Sequence, residues 1–208
     1  MTRSGKKEPE EIVAFDVAVI LGSARRGSLT RGVVEAIGRR AAPDLAFEIV
    51  EIGDLPLFNP DLDDDGPPDA WQVFRRRIAR CDAVLFATPE YNRSVPTVLK
   101  NAIDIGSRPS GKNVWNGKAG AIVSVSPGAI GGFGANHHLR QSLAFLNVYT
   151  MQQPEAYLSN AGSLVGDDGD FAKEATTAFV DAYLSKFRRW IETVTAAEPA
   201  SSLRVTGT

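Results

Sequence analysis

Cysteine is almost missing from these 208 residues: Cys81 is the single one. One thiol can close no intramolecular disulfide and build no thiolate metal cage, so a disulfide scaffold and a zinc finger are both excluded. A reducing, cytoplasmic setting is expected. Long apolar runs are missing too. The first one, Val17 to Leu21, is a strand long, whereas a membrane helix needs roughly 20 apolar residues, so neither a signal peptide nor a membrane partner is expected. Charge of one sign is also scarce. Twenty-three basic residues against 25 acidic ones leave a formal net charge of -2, which gives no global field to draw in nucleic acid and makes any anion site a local one. Histidine occurs twice, as His137 and His138, and neighbours on a helix point in different directions, which suits a structural role better than a shared metal site. No Ser/His/Asp set and no catalytic carboxylate pair can be picked out.

What remains has globular proportions, with 43% hydrophobic and 23% charged residues. A single domain over residues 13–195 is expected, with flexible tails at 1–12 and 196–208. Short apolar runs rich in valine and isoleucine (Val17 to Leu21, Phe47 to Ile52, Ala83 to Ala87, Ala121 to Val125, and a weaker one at Val148 to Met151) alternate with segments of helical period. Those segments are Leu29 to Arg40, Ala70 to Arg80, Val95 to Ile105, Ala135 to Leu146 and Phe171 to Val194. Strands apolar on both faces and joined by helices describe a parallel sheet covered on both sides, because each parallel connection must cross over. The sequence therefore predicts an α/β fold with a doubly wound five-stranded parallel sheet, whose ligands sit beyond the carboxyl ends of the strands.

The first run passes directly into Gly22-Ser23-Ala24-Arg25-Arg26-Gly27-Ser28-Leu29-Thr30 and then a helix. Glycines for tight turns, hydroxyls beside the free N–H groups of a helix start, and an arginine at position 25 or 26 outline a phosphate cradle. A plain helix cap from Ser28 or Thr30 explains the same residues equally well. Gly-Lys-Ser/Thr is absent and so is the third glycine of Gly-x-Gly-x-x-Gly, which excludes a nucleoside-triphosphate loop and the dinucleotide fingerprint. After the third run comes Pro89-Glu90-Tyr91-Asn92-Arg93-Ser94-Val95-Pro96, in which two prolines stiffen the chain and Tyr91 and Asn92 offer a flat face and an amide for a planar ring. Taken alone, this segment also reads as an ordinary turn.

Taken together, Gly22-Ser23-x-Arg25-x-x-Ser28, the block from Pro89-Glu90-Tyr91-Asn92 through Leu99-Lys100-Asn101-Ala102-Ile103-Asp104, and Gly128-x-x-Gly131-Gly132 resemble the NADPH-dependent FMN reductase family. That family is flavodoxin-like and includes bacterial quinone, chromate and azo-dye reductases. The resemblance implies an enzyme that moves hydride from NADPH or NADH to FMN and on to a small-molecule electron acceptor such as a quinone, an azo dye, a metal oxyanion or free flavin. The alternative is a flavodoxin-type FMN carrier without nicotinamide activity. The resemblance further implies that Ser23, Arg25, Ser28, Leu29 and Thr30 hold the FMN phosphate. Pro89, Glu90, Tyr91, Asn92 and Arg93 would meet the flavin ring, and Ser124, Val125, Ser126 and Gly128 would close over its other edge. With the flavin carrying the chemistry, no catalytic side chain is assigned. The family also implies a homodimer or homotetramer. Where related sequences often carry an arginine, this chain has Gly134, and a different subunit packing or nicotinamide entry is the expected consequence.

Other signals are set aside. Asp61-Leu62-Asp63-Asp64-Asp65-Gly66 opens like a calcium loop, but its twelfth position is Gln72, which cannot give the bidentate carboxylate, so no metal is expected. The stretch reads instead as a solvated connection, with Leu57 and Phe58 packing on the fold. Arg75-Arg76-Arg77 reads as a solvated helix face and Cys81 as a packing residue. Trp71, Trp115 and Trp190 suit core or interface equally.

Overall fold

The computed structural model describes residues 14–197. Of the tails expected at 1–12 and 196–208, residues 1–12 and 198–208 lie outside the described residues, while Ala196 and Ala197 belong to the last helix. The strands are β1 (Phe15–Leu21), β2 (Leu45–Val50), β3 (Ala83–Thr88), β4 (Ala119–Val125), β5 (Tyr149–Thr150) and β6 (Ala156–Leu158). The helices are α1 (Leu29–Ala41), α2 (Pro60–Asp64), α3 (Asp69–Arg80), α4 (Thr97–Gly106), α5 (Phe133–Phe145) and α6 (Glu174–Ala197). The strand order is β2-β1-β3-β4-β5, with β6 also on β4, and each pairing is parallel. This is the flavodoxin-like order, whose reversal between β1 and β3 opens a crevice at the carboxyl ends of those strands.

Alternation along β1 divides the core. Val17, Val19 and Leu21 face α1 and α6, packing on Val33, Ile37 and Phe187. Ala18 and Ile20 face α3, α4 and α5, packing among Trp71, Leu99 and Leu139. Both layers are buried and apolar, so β1 and β3 have to be apolar on both faces, as a covered parallel sheet demands.

Several expectations change. The fifth strand is split into β5 and β6, which pair with opposite ends of β4. The helix expected from Val95 starts at Thr97 instead, because a residue before proline is kept out of the helical region. The last helix begins at Glu174, since Phe171 is used in a bridge to Val165. The connection at 53–68 is not simply solvated: it contains α2 and is pinned to α4 by Asn101, which accepts the Phe58 N–H at 2.8 Å. Phe58 packs against Trp71, ring centroids 5.7 Å apart, but Leu57 stands in solvent, 70% exposed.

Arg75 overturns the solvated face expected for the basic triplet. It is buried, donating to the Ile105 carbonyl at 2.9 Å and holding both Asp63 oxygens at 2.7 and 2.8 Å. Asp63 is thereby turned inward, away from any calcium loop. Arg77 is half-buried on Glu48. Trp71 and Trp115 are core residues, and Gly106 makes room for the latter, since a Cβ there would stand 2.5 Å from its indole. Cys81 is buried, and burial pushes its thiol pKa up, which suits packing rather than nucleophilic work.

Candidate functional site

The three loops that leave β1, β3 and β4 meet at the carboxyl edge of the sheet. Gly22 N–H donates to the Ala87 carbonyl at 2.8 Å, and a Cβ on Gly22 would lie 3.1 Å from Leu99 and 3.2 Å from that carbonyl. A glycine is needed here because the first loop leaves β1 pressed against β3 and α4.

Ser28 does cap α1, its hydroxyl accepting the Arg31 N–H at 3.1 Å. Capping and anion binding do not compete, however. The cap uses one orphan donor, and Leu29 and Thr30, the first two helical residues, have no carbonyl four residues back within the helix to satisfy their N–H groups. The first turn contains Arg31 and no acid, the reverse of what the helix dipole favours, and a bound anion would offset that. Arg31 is partly neutralised by Glu51, at 2.7 and 2.9 Å. Arg25 and Arg26 are exposed and, among the described residues, meet no carboxylate. Arg25 is turned onto the Gly27 carbonyl at 3.2 Å, which uses one of its five N–H groups. The side chains of Ser23 and Thr30 lie below the surface, 5% and 3% exposed, so a solvent-borne anion first meets Ala24 to Gly27.

The second loop is a two-residue turn. Tyr91 and Ser94 exchange both backbone bonds at 3.0 Å, and Asn92 and Arg93 between them are left-handed, with φ of 51° and 65°. Asparagine tolerates that conformation, but arginine rarely adopts it. Tyr91, Asn92 and Arg93 are exposed, and Pro89 and Glu90 are half-buried. The turn is tied to α5 by Ser94 Oγ and His138 Nδ1 at 2.7 Å. His137 points elsewhere, its Nε2 2.9 Å from the Tyr157 hydroxyl. The adjacent histidines thus diverge. Burial first, and then a bond to Glu155, push the Tyr157 phenol up to about 12, leaving it neutral beside the third loop.

That third loop separates the remaining residues. Ser126 and Gly128 lie on it, with the Gly128 N–H on Ser126 Oγ at 3.1 Å. Ser124 and Val125 do not: they are the buried end of β4, and the Ser124 hydroxyl donates to the Ala156 carbonyl at 3.2 Å inside the fold. Gly131 is left-handed, and a Cβ there would stand 2.6 Å from the Tyr157 backbone, so the loop can fold over β6 only at a glycine. Sequence reading missed His138, Asn136 and the close approach of Gly134. The helical spacing placed them on α5 but held no signal of which loop α5 would touch.

A cleft of about 300 Å³ between α1 and α6 is lined by Arg40, Asp44, Asp181 and Arg188. Two of its arginines are paired, Arg40 on Asp181 and Arg188 on Asp44, and a third, Arg189, donates to Ser185 Oγ at 3.1 Å. It lies at the opposite end of the sheet from the three loops. Among the described residues, no cluster of three or more histidine, cysteine or acidic side chains is placed to hold a metal.

The arrangement has counterparts among known proteins. A quinone reductase of Pseudomonas putida is 55% identical over 178 residues, covering 86% of this chain and 95% of that protein. A 2-hydroxy-1,4-benzoquinone reductase of Burkholderia sp. is 42% identical over 179 residues, 86% of this chain and 97% of that protein. Among solved structures, FerB, a flavoenzyme NAD(P)H:(acceptor) oxidoreductase from Paracoccus denitrificans, aligns with a TM-score of 0.83 at 39% identity, covering 86% of this chain and 98% of that one. Residues 15–163, which contain all three loops, match the NADPH-dependent FMN reductases, and the chain belongs to that family.

Proposed function

We propose that this protein is an FMN-dependent NAD(P)H:quinone reductase. In this reading the FMN phosphate rests on the first turn of α1, and the flavin ring lies along the Tyr91–Ser94 turn. The observation that carries it is the start of α1: an arginine and no acid in the first turn, beside an exposed Arg25 that meets no carboxylate among the described residues. The residues fit the group. Leu29 and Thr30 N–H groups and the Ser28 hydroxyl, whose proton is not used by the cap, supply donors for a phosphate, and Arg25 supplies charge. Gly22 lets the loop sit low against Ala87 at the carboxyl edge of the sheet.

When bound, FMN supplies the redox chemistry, accepting hydride from the reduced nicotinamide and passing reducing equivalents to the quinone. The chain's own task is to hold and orient. The Tyr91–Ser94 turn presents main-chain N–H groups of Asn92 and Arg93, which take no part in the Tyr91–Ser94 bond pair, and the Arg93 guanidinium stands at the rim, its side chain 74% exposed. Donors and a cation in that place stabilise negative charge as it gathers on a reduced ring. None of these roles needs a side chain that shuttles protons.

Assembly as a homodimer or homotetramer is part of the same proposal, supported by Tyr91, Ile130 and Phe133, each about half exposed around the mouth. So is a cytoplasmic location, supported by the lone buried thiol of Cys81. No helix among the described residues is long and apolar enough to cross a membrane. One anaerobic experiment tests the activity. Protein loaded with FMN is mixed with NADPH and then with benzoquinone; the flavin absorbance should bleach and then return. Bound flavin that NADPH leaves unbleached would mean an electron carrier instead, and protein that takes up no FMN would remove the reading altogether.

A further inference from the structure

Helix α5 begins without the usual equipment of a helix start. Its N-cap is Gly132, left-handed with φ of 76°; no side chain caps it, and no acid stands in its first turn. The anion comes from another element. Glu90 Oε2 accepts the Ala135 N–H at 3.1 Å, in the first turn, where orphan donors and the positive end of the helix dipole coincide. The other oxygen, Oε1, takes the Arg93 guanidinium at 3.2 Å. With its side chain 11% exposed, Glu90 is held at both oxygens.

Between Glu90 and Ser94 lies the left-handed pair Asn92 and Arg93, a conformation that persists in an arginine only where its surroundings impose it. Gly134 lets them do so. A Cβ at position 134 would stand 2.9 Å from the Arg93 carbonyl and 2.9 Å from Glu90 Oε2, so α5 seats against the turn only because that position is bare. The glycine found where the family resemblance implies an arginine thus has a packing reason within this chain. Ser94 and His138, 2.7 Å apart, fasten the same two elements about one turn further along α5.

We infer that Glu90 is a positioning residue: its carboxylate latches the Tyr91–Ser94 turn to the start of α5, across the bare Gly134, and so fixes the wall against which the flavin ring lies. The inference rests on the reading of that turn as the ring-binding wall. Glu90→Ala removes both bonds, whereas Glu90→Gln keeps an oxygen for the Ala135 N–H. Gly134→Ala leaves the carboxylate in place but pushes the turn away.

The experiment combines hydrogen exchange on the FMN-free protein with FMN titration and visible spectra, all below the unfolding midpoint of the weakest variant. In Glu90→Ala, the Tyr91, Ser94 and Ala135 amides, each hydrogen-bonded in the wild type, should exchange faster. Its FMN affinity should fall by about tenfold or more, as expected for losing a hydrogen bond to a charged group, and its flavin absorbance maxima should shift. Gly134→Ala should behave alike, and Glu90→Gln should recover most of the affinity. If wild type takes up FMN and Glu90→Ala binds it equally tightly with an unshifted spectrum, the latch is overturned while the flavin reading stands, even where the unfolding midpoint drops. A wild-type protein that takes up no FMN overturns both.

Discussion

At the scale of single residues, the first loop shows how one side chain serves structure and ligand together. Ser28 accepts the Arg31 N–H, yet the same helix start leaves two N–H groups and Arg25 for an anion. Arg25→Ala separates the two roles, because Arg25 is exposed and its one internal bond is to the Gly27 carbonyl. The expected result is a loss of FMN affinity of about 10- to 100-fold, the effect of a charge-assisted hydrogen bond of about 1.5–3 kcal/mol, with an unchanged unfolding midpoint. Fluorescence-quenching titration with FMN measures it, and an unchanged dissociation constant would sink the phosphate assignment. The residues of this loop were legible in the sequence because a glycine, hydroxyls and arginines at a strand-to-helix junction have a local reason to be there. Arg75 was not. Its partners, Asp63 and Ile105, stand 12 and 30 residues away, and nothing in a basic triplet tells which of its members turns inward. The end of β4 and the loop after it also run together in sequence, and only strand pairing shows that Ser124 and Val125 end the buried strand while Ser126 opens the loop.

At the scale of elements, the strands and helices that pack dry on both faces were legible from their apolar periods, and the split fifth strand was not. Lys118, just before β4, and Gly120 on it give their carbonyls to Tyr149 and Met151, at 2.9 and 2.7 Å. The next carbonyl facing that edge is Ile122, where β4 passes from β5 to β6, and the Val123–Ala156 pairing gives it the Ala156 N–H. A second donor comes from α6, where Tyr183, fully buried, donates its hydroxyl at 3.0 Å. From the other side, Asn136 reaches Ser124 Oγ at 3.3 Å and Arg140 reaches the Met151 carbonyl at 3.2 Å. The break is therefore filled by side chains of two helices, and a pattern read along one strand holds no trace of them. Tyr183→Phe keeps the ring and removes one of the two bonds to the Ile122 carbonyl, so it should destabilise the protein by about 0.5–1.5 kcal/mol. Urea unfolding at neutral pH reads that loss. FMN affinity should not move, because Ile122 lies within the sheet, below the loops. A variant as stable as wild type would mean that the strand bond alone satisfies the carbonyl.

At the scale of the whole molecule, ion pairs join elements at both ends of the sheet. The loops that would hold FMN gather at the carboxyl edge, where Arg31 and Arg93 are paired with Glu51 and Glu90 while Arg25 and Arg26 meet no carboxylate among the described residues. Elsewhere, ion pairs fasten helices to the sheet and to each other. Arg77 and Arg80 of α3 both grip Glu48 on the edge strand β2, at 2.5 and 2.6 Å, and Arg40 of α1 grips Asp181 of α6. Hydrogen bonds from Arg80 and then Arg77 hold the Glu48 pKa below its ordinary value, and Arg40 does the same for Asp181. A carboxylate whose folded pKa is depressed adds stability that is fully present above its unfolded pKa and is lost as the pH falls through the folded one. The affected window therefore lies below the ordinary carboxylate value of about pH 4. The Glu48 side chain is 34% exposed, so solvent screens the pair and its worth is about 1 kcal/mol or less. Glu48→Gln removes the charge while keeping an acceptor for one arginine. Urea midpoints for wild type and variant, compared from about pH 7 down to about pH 3, should show the variant weaker at neutrality and the gap closing in acid as the wild-type carboxylate protonates. A gap of constant size across that range would mean that Glu48 contributes through shape and neutral hydrogen bonds alone, and that the acid limb of the stability curve belongs to other carboxylates, with Asp181 the next to replace.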